Sequence, residues 1–397
     1  MRYPLTRELG RQAVLIAARD GLGLATRDET LGETFPEGAD DSSSPLALDV
    51  DARNDGTASL TLSAETAGDD ASASAAELGR YVFQFQSDTF NMYTALAAAL
   101  GSASRGELVD VLRGAGYRGE SVREDPDGPL PEGVEPLLAD MNFVSQFAAV
   151  RKIHAAIAEQ GESAARLGGL VRGYAHLSLL TRHHWSSANS AFAARALLYA
   201  ERLMALDGDP RLAQQHRAYA RALVGLHGMA LQDLDRLPPD ENNGDSPPTV
   251  PAWAKVIEPF CRFDEKQLRG LQHESGLRPL VHQLVFEMKA SYFNDRWNVA
   301  AGREALGECP ESYGILSVMA NDSPMAGQRW AVQTAAETFG RQTPRRVAVL
   351  DGLPESLPSH TRMATIMSIP TFIRTRTSPK TVRSHGRDCW RSAYRAA

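Results

Sequence analysis

Apolar positions recur three and four residues apart along most of this chain, and that period marks one face of an α-helix. Leu5, Leu9, Ala13, Ile16 and Ala17 make the first such face, over 5–20, with Gly21 just beyond it. The period then changes to two. Leu46, Leu48, Val50 and Ala52 alternate with polar residues, Asn54-Asp55-Gly56 turns, and Ala58, Leu60, Leu62 and Ala64 alternate again. Alternation on both sides of an Asp-Gly turn predicts a β-hairpin over 45–64; an acidic, Ser/Ala-rich linker is the competing reading. Tyr81, Phe83 and Phe85 give a third strand or the start of a helix, and Phe90, Tyr93, Leu96 and Leu100 run on at helical spacing to Gly101. A short helix follows in "ELVDVLRGAG", and the stretch "EDPDGPLPEGVEP" closes this first region with proline, glycine and acid.

From Met141 to Leu237 the pattern is helical almost throughout. Residues 163–182 hold Leu167, Leu170, Tyr174, Leu177 and Leu180. His183-His184-Trp185-Ser186 then turns, and a second helix runs to Asp207-Gly208-Asp209-Pro210. Residues 210–239 repeat the plan. Leu212, His216, Tyr219, Ala220 and Leu223 share one face, Gly225-Leu226-His227-Gly228 breaks it, and Met229, Ala230, Leu231, Leu234 and Leu237 form a second face that Pro238-Pro239 stops. Two antiparallel helices with one shared seam cannot bury both faces alone, so each pair needs neighbours. "RGYA" (172–175) and "RAYA" (217–220) recur 45 residues apart, each before a further apolar stretch.

The segment "YARALVGLHGMALQDLDRLPP" resembles a tetratricopeptide repeat: Tyr219 and small Ala222 on a first helix, a turn at Gly225, Ala230 near the crossing, then Leu234, Leu237 and a closing proline. The preceding unit resembles it more loosely, with Gly173, Tyr174, Ala200 and Pro210 in corresponding roles. The likeness covers roughly 163–239. It implies a right-handed helical scaffold that binds a peptide or protein partner on its concave face, and it implies no catalysis. Within it, Arg172 and Arg217 each stand two residues before a tyrosine. Two residues turn about 200°, so each arginine faces away from its tyrosine, and Arg221 shares the face of Arg217. Arg172, Arg217 and Arg221 are therefore expected to form a partner-facing strip that grips carboxylates or peptide carbonyls; a solvated face is the plainer alternative.

The expected organisation is mainly α: tetratricopeptide-like hairpins, an α-solenoid, behind a small α+β N-terminal region. Residues 1–140 form that region, 141–237 the repeats, 238–251 a linker with five prolines, 252–340 a second helical region, and 341–397 a weakly patterned basic tail. The tail reads as disordered, as a docking arm, or as the product of a shifted reading frame. Its character departs abruptly from what precedes it.

Net charge is −7, which favours solubility and gives no support to nucleic-acid binding, a function that needs clustered Lys and Arg. The average hides an asymmetry: residues 1–140 carry 25 Asp and Glu against 11 Arg and no Lys, whereas 359–397 set eight basic residues against Asp388. Cys261, Cys309 and Cys389 are scattered and odd in number, which suggests free thiols and a cytoplasmic protein. No apolar run reaches membrane-spanning length, and charges interrupt the N-terminus too often for a signal peptide. The start of a helix almost at Met1 fits a piece of a longer chain.

Six of ten histidines lie between His154 and His227, which raises a metal site. Geometry disfavours it: His176 and His183, seven apart, would stand about 10.5 Å apart along one helix, too far for one ion. "GLGLAT" (21–26) lacks the third glycine of a dinucleotide fingerprint, and no P-loop, GxSxG or HExxH occurs. Neither cofactor nor metal is expected. The leading reading is a non-catalytic interaction scaffold with a protein or peptide partner. The alternative is a helical enzyme or small-ligand-binding protein that uses the histidine-rich centre, residues 154–227.

Overall fold

The computed structural model describes residues 4–24, 26, 46–52, 57–64, 76–84, 91–183, 188–206, 208–238, 250–290 and 295–309, with 312, 315, 316, 318 and 319. Within these residues the protein is mainly helical. Helix α1 (Pro4–Leu22) precedes three antiparallel strands, β1 (Leu46–Ala52), β2 (Thr57–Ala64) and β3 (Ala76–Gln84), in the order β1-β2-β3. Leu48 lies opposite Leu62 and Val50 opposite Leu60. Helices α2 (Met92–Ala103), α3 (Glu107–Gly114) and α4 (Val134–Ala139) lead to the long helices α5 (Phe143–Gln160), α6 (Ala164–Thr181) and α7 (Ala188–Met204), then α8 (Pro210–Leu223) and α9 (His227–Asp235). A 3-10 turn at Ala252–Val256 runs into α10 (Ile257–Cys261), followed by α11 (Glu265–Gly270), α12 (Arg278–Ala290) and α13 (Asp295–Glu308). The tail 341–397, most of the proline-rich linker and the turn 184–187 lie outside the described residues.

The starts of the central helices are written in the sequence. Asn142 accepts the Val144 N–H at 2.8 Å, and Ser163 accepts the Arg166 N–H at 3.1 Å. Asp209 takes the N–H groups of Arg211 and Leu212 while Pro210, which has no N–H to leave orphaned, occupies the first helical position. Gly225, at φ +94°, supplies the left-handed residue after α8.

Helix α6 lies at the centre. Every residue from Arg166 to Thr181 is buried, because α5, α7 and α8 pack around it and α4 closes the remaining side. Close approach depends on three glycines. A Cβ on Gly168 would stand 2.5 Å from the His216 ring, one on Gly169 2.6 Å from Leu130, and one on Gly173 2.7 Å from Val150.

The core crosses the boundaries suggested by composition. One buried apolar cluster runs from Leu9 of α1 to Cys309 after α13, and α1 and α2 both pack on α7. Arg195 of α7 donates to Gln12 of α1 at 2.7 Å. A change in surface charge near residue 140 is thus not a change of core, since charge composition reports what faces water.

Candidate functional site

Helices α6 and α8 bring forward the arginines that the sequence assigns to a partner, and the structure gives each an internal partner. Arg172 meets Glu135 of α4 in a two-pronged fork, both N–H···O distances 2.6 Å, with its side chain 10% exposed. Trp253, from the turn after the linker, covers that guanidinium at 5.6 Å and stacks on His216 with centroids 4.2 Å apart. Arg217 and Arg221 both reach Asp233 of α9, at 2.9 and 2.7 Å, and Arg221 also reaches Glu201 of α7 at 3.2 Å. The expected outward strip is therefore turned inward. Two residues of helix turn Arg172 away from Tyr174, but one helix's periodicity cannot show that α4 and Trp253 cover the face on which Arg172 stands.

The hydrogen bond from Arg172 holds the Glu135 carboxyl below the ordinary carboxylate range. The opposite holds for Glu201: burial pushes its carboxyl up, offset only in part by Arg221 and Arg217. Burial also lowers Arg221, because two flanking acids do not fully replace water around a guanidinium.

The described histidines of 154–227, His154, His176, His183, His216 and His227, do not gather into one group. Gln146 fixes the state of His176. Its amide nitrogen donates to the carbonyls of Leu137, Leu138 and Asp140, which leaves its oxygen to accept from His176 Nδ1 at 3.0 Å. Nε2 of a neutral His176 is then an acceptor, and Tyr219 donates to it at 2.5 Å. Burial, with Arg172 nearby, lowers His176 to about 3. His154, bonded to Tyr174 at 2.7 Å, and His216 under Trp253 are pushed well below 6.5 by burial first. His183 faces Glu287 at 3.1 Å, and His227 packs edge-on to Phe260. Among the described residues no three His, Cys, Asp or Glu side chains come together in a metal-holding group.

A second polar network ties α1 to α7. Tyr174 and Tyr199 stack nearly parallel at 5.7 Å; Arg195 donates to the Tyr174 hydroxyl at 3.3 Å; Tyr199 donates to Asp20 at 2.9 Å and also meets Arg19. Sequence reasoning missed Glu135, Glu201, Asp233 and Trp253 as partners. One of them carried a signal: Asp233 lies on the apolar face of α9 between Ala230 and Leu234, and an acid there needs a buried cation.

Fold and site together define a mainly helical protein with a charge-paired core. No family model, no curated protein and no solved structure matches the chain. No helix among the described residues is long and apolar enough to cross a membrane.

Proposed function

We propose that the chain is a non-catalytic interaction scaffold, with α6/α7 and α8/α9 as two tetratricopeptide-like hairpins of a short solenoid that takes a protein or peptide partner. The partner surface in this reading is the outer side of α9, not the arginine strip. One observation carries it. Helix α6 is buried all round, whereas α9 buries only Ala230 and Asp233 and leaves Met229, Leu231 and Leu234 half-buried. Helix α10 packs on α9 but covers it only in part, and in an array built by stacking such an incompletely covered face can take a further helix.

The test places a photo-crosslinking side chain at exposed Gln232 of α9 and, as a control, at exposed Arg118 after α3. A discrete crosslinked protein from the source cells at position 232 and not at 118 is the expected result. No product, or the same products at both positions, would overturn the reading.

A further inference from the structure

Trp253 is seated in a slot built by other elements. Its indole stacks on His216 with centroids 4.2 Å apart and planes 24° apart, meets Tyr219 edge-on at 5.2 Å, and takes the Arg172 guanidinium over its ring at 5.6 Å. These walls come from two helices, Arg172 from α6 and His216 and Tyr219 from α8, and all three side chains are buried. Arg172 spends both ends of its fork on Glu135, which leaves the flat face of the guanidinium for a ring. A stack, an edge and a cation are contacts that any planar aromatic ring can make. The resident side chain shows what the slot accepts.

Trp253 itself is attached from the outside. It is half-buried, and its indole N–H makes no hydrogen bond among the described residues. It stands in the 3-10 turn Ala252–Val256, and the anchored part of that turn comes after it: Ala254 and Val256 are buried, whereas Val250, Pro251 and Ala252 are only half-buried. Rotation of the backbone ahead of Ala254 can therefore lift the indole while Val256 stays packed. The walls of the slot lie beneath a ring that itself touches water, so a ring arriving from solvent reaches them by taking its place.

We propose that this slot is an exchangeable aromatic site, with Trp253 as its resident occupant and an indole-sized planar ring from outside, free or carried on a peptide, as the ligand that displaces it. The slot shares no residue with the outer face of α9, and the proposal does not rest on the scaffold reading.

The test is fluorine NMR of the whole chain labelled with fluorotryptophan, titrated with indole and, separately, with the tripeptide Gly-Trp-Gly, each to about 10 mM. The chain has five tryptophans, and Trp253→Phe identifies the resonance of residue 253. That resonance alone is expected to move, saturably, towards its position in the urea-unfolded chain. A response to indole alone marks a small aromatic molecule as the ligand; a response to the tripeptide marks a ring carried on a peptide. A tethered occupant lowers the apparent affinity of its competitor by the fraction of time the slot is filled, so Trp253→Ala should bind indole at least about tenfold more tightly than the wild type in equilibrium dialysis. No movement of residue 253 with either probe, the same movement in all five resonances, or equal indole affinity in wild type and Trp253→Ala would each overturn the proposal.

Discussion

Helices α6 and α9 belong to successive hairpins of similar sequence pattern, yet they are held by different forces. In α6 the apolar residues Leu167, Leu170, Val171 and Leu177 are fully buried, and its polar residues are buried with them and partnered: Arg166 with Asp125, Arg172 with Glu135, His176 with Gln146 and Tyr219. In α9 the leucines are only half-covered, and the fully buried side chains are a small Ala230 and a charged Asp233 that receives Arg217 and Arg221. Area burial dominates the first helix, and a polar anchor dominates the second. The consequence is that a helix can be legible as amphipathic and still be fixed mainly by one ion-paired residue on its inner face.

The largest way to separate the two regions is pH. His154, His176 and His216 have folded-state values below their unfolded value of about 6.5, so the unfolded chain binds protons first as pH falls. The stability they lend is complete above pH 6.5 and is lost as pH falls toward their folded values, about 3 for His176. For His176 that loss is about 2 kcal/mol at pH 5 relative to pH 7, and His154 and His216 add to it in the same direction. His227 of α9, less deeply placed and less lowered, should contribute a smaller share. Urea titrations at pH 7, 6 and 5 measure the slope; His176→Asn should flatten it by about one proton, and His227→Asn by less.

Truncation sharpens the same contrast. Leu170→Ala and Leu223→Ala, at sites with no exposure, should each lose ~2–5 kcal/mol, whereas half-buried Leu234→Ala should lose under ~1.5 kcal/mol. Equal losses at Leu170 and Leu234 would erase the distinction. Asp233→Ala should cost about 3 kcal/mol, more than Leu234→Ala, because it removes the buried acid shared by Arg217 and Arg221 and leaves Glu201, among the described residues, as the one acid facing both. The smallest pair differs in sign. Gly173→Ala must push against Val150 and should lose ~1–3 kcal/mol, while Gly228→Ala, with open space around it, should gain ~0.4–1 kcal/mol. Denaturant midpoints at constant slope would report both.

Much of the helical region was legible. Ser163, Asp209-Pro210 and Gly225 punctuate the chain where α6 starts, α8 starts and α8 ends, since caps and left-handed turns are local chemistry. The spacing of Leu167, Leu170, Tyr174 and Leu177 likewise marks a packed face. Its opposite face was not legible: Arg172 reads as surface until Glu135, 37 residues earlier, and Trp253, after a proline-rich linker, are brought to it. The packing of α1 on α7 is hidden for the same reason, because Gln12 and Arg195 are 183 residues apart and neither belongs to a recognisable motif.

Amide hydrogen exchange in the native state bears most directly on the claim that α6 is enclosed and α9 is anchored at one polar point. Amides of α6 should exchange only through global unfolding, and those of α9 sooner, through local opening. Asp233→Asn should speed exchange in α9 further while α6 stays the most protected segment. Protection of α9 equal to that of α6, or an Asp233→Asn effect spread evenly over both helices, would contradict the account.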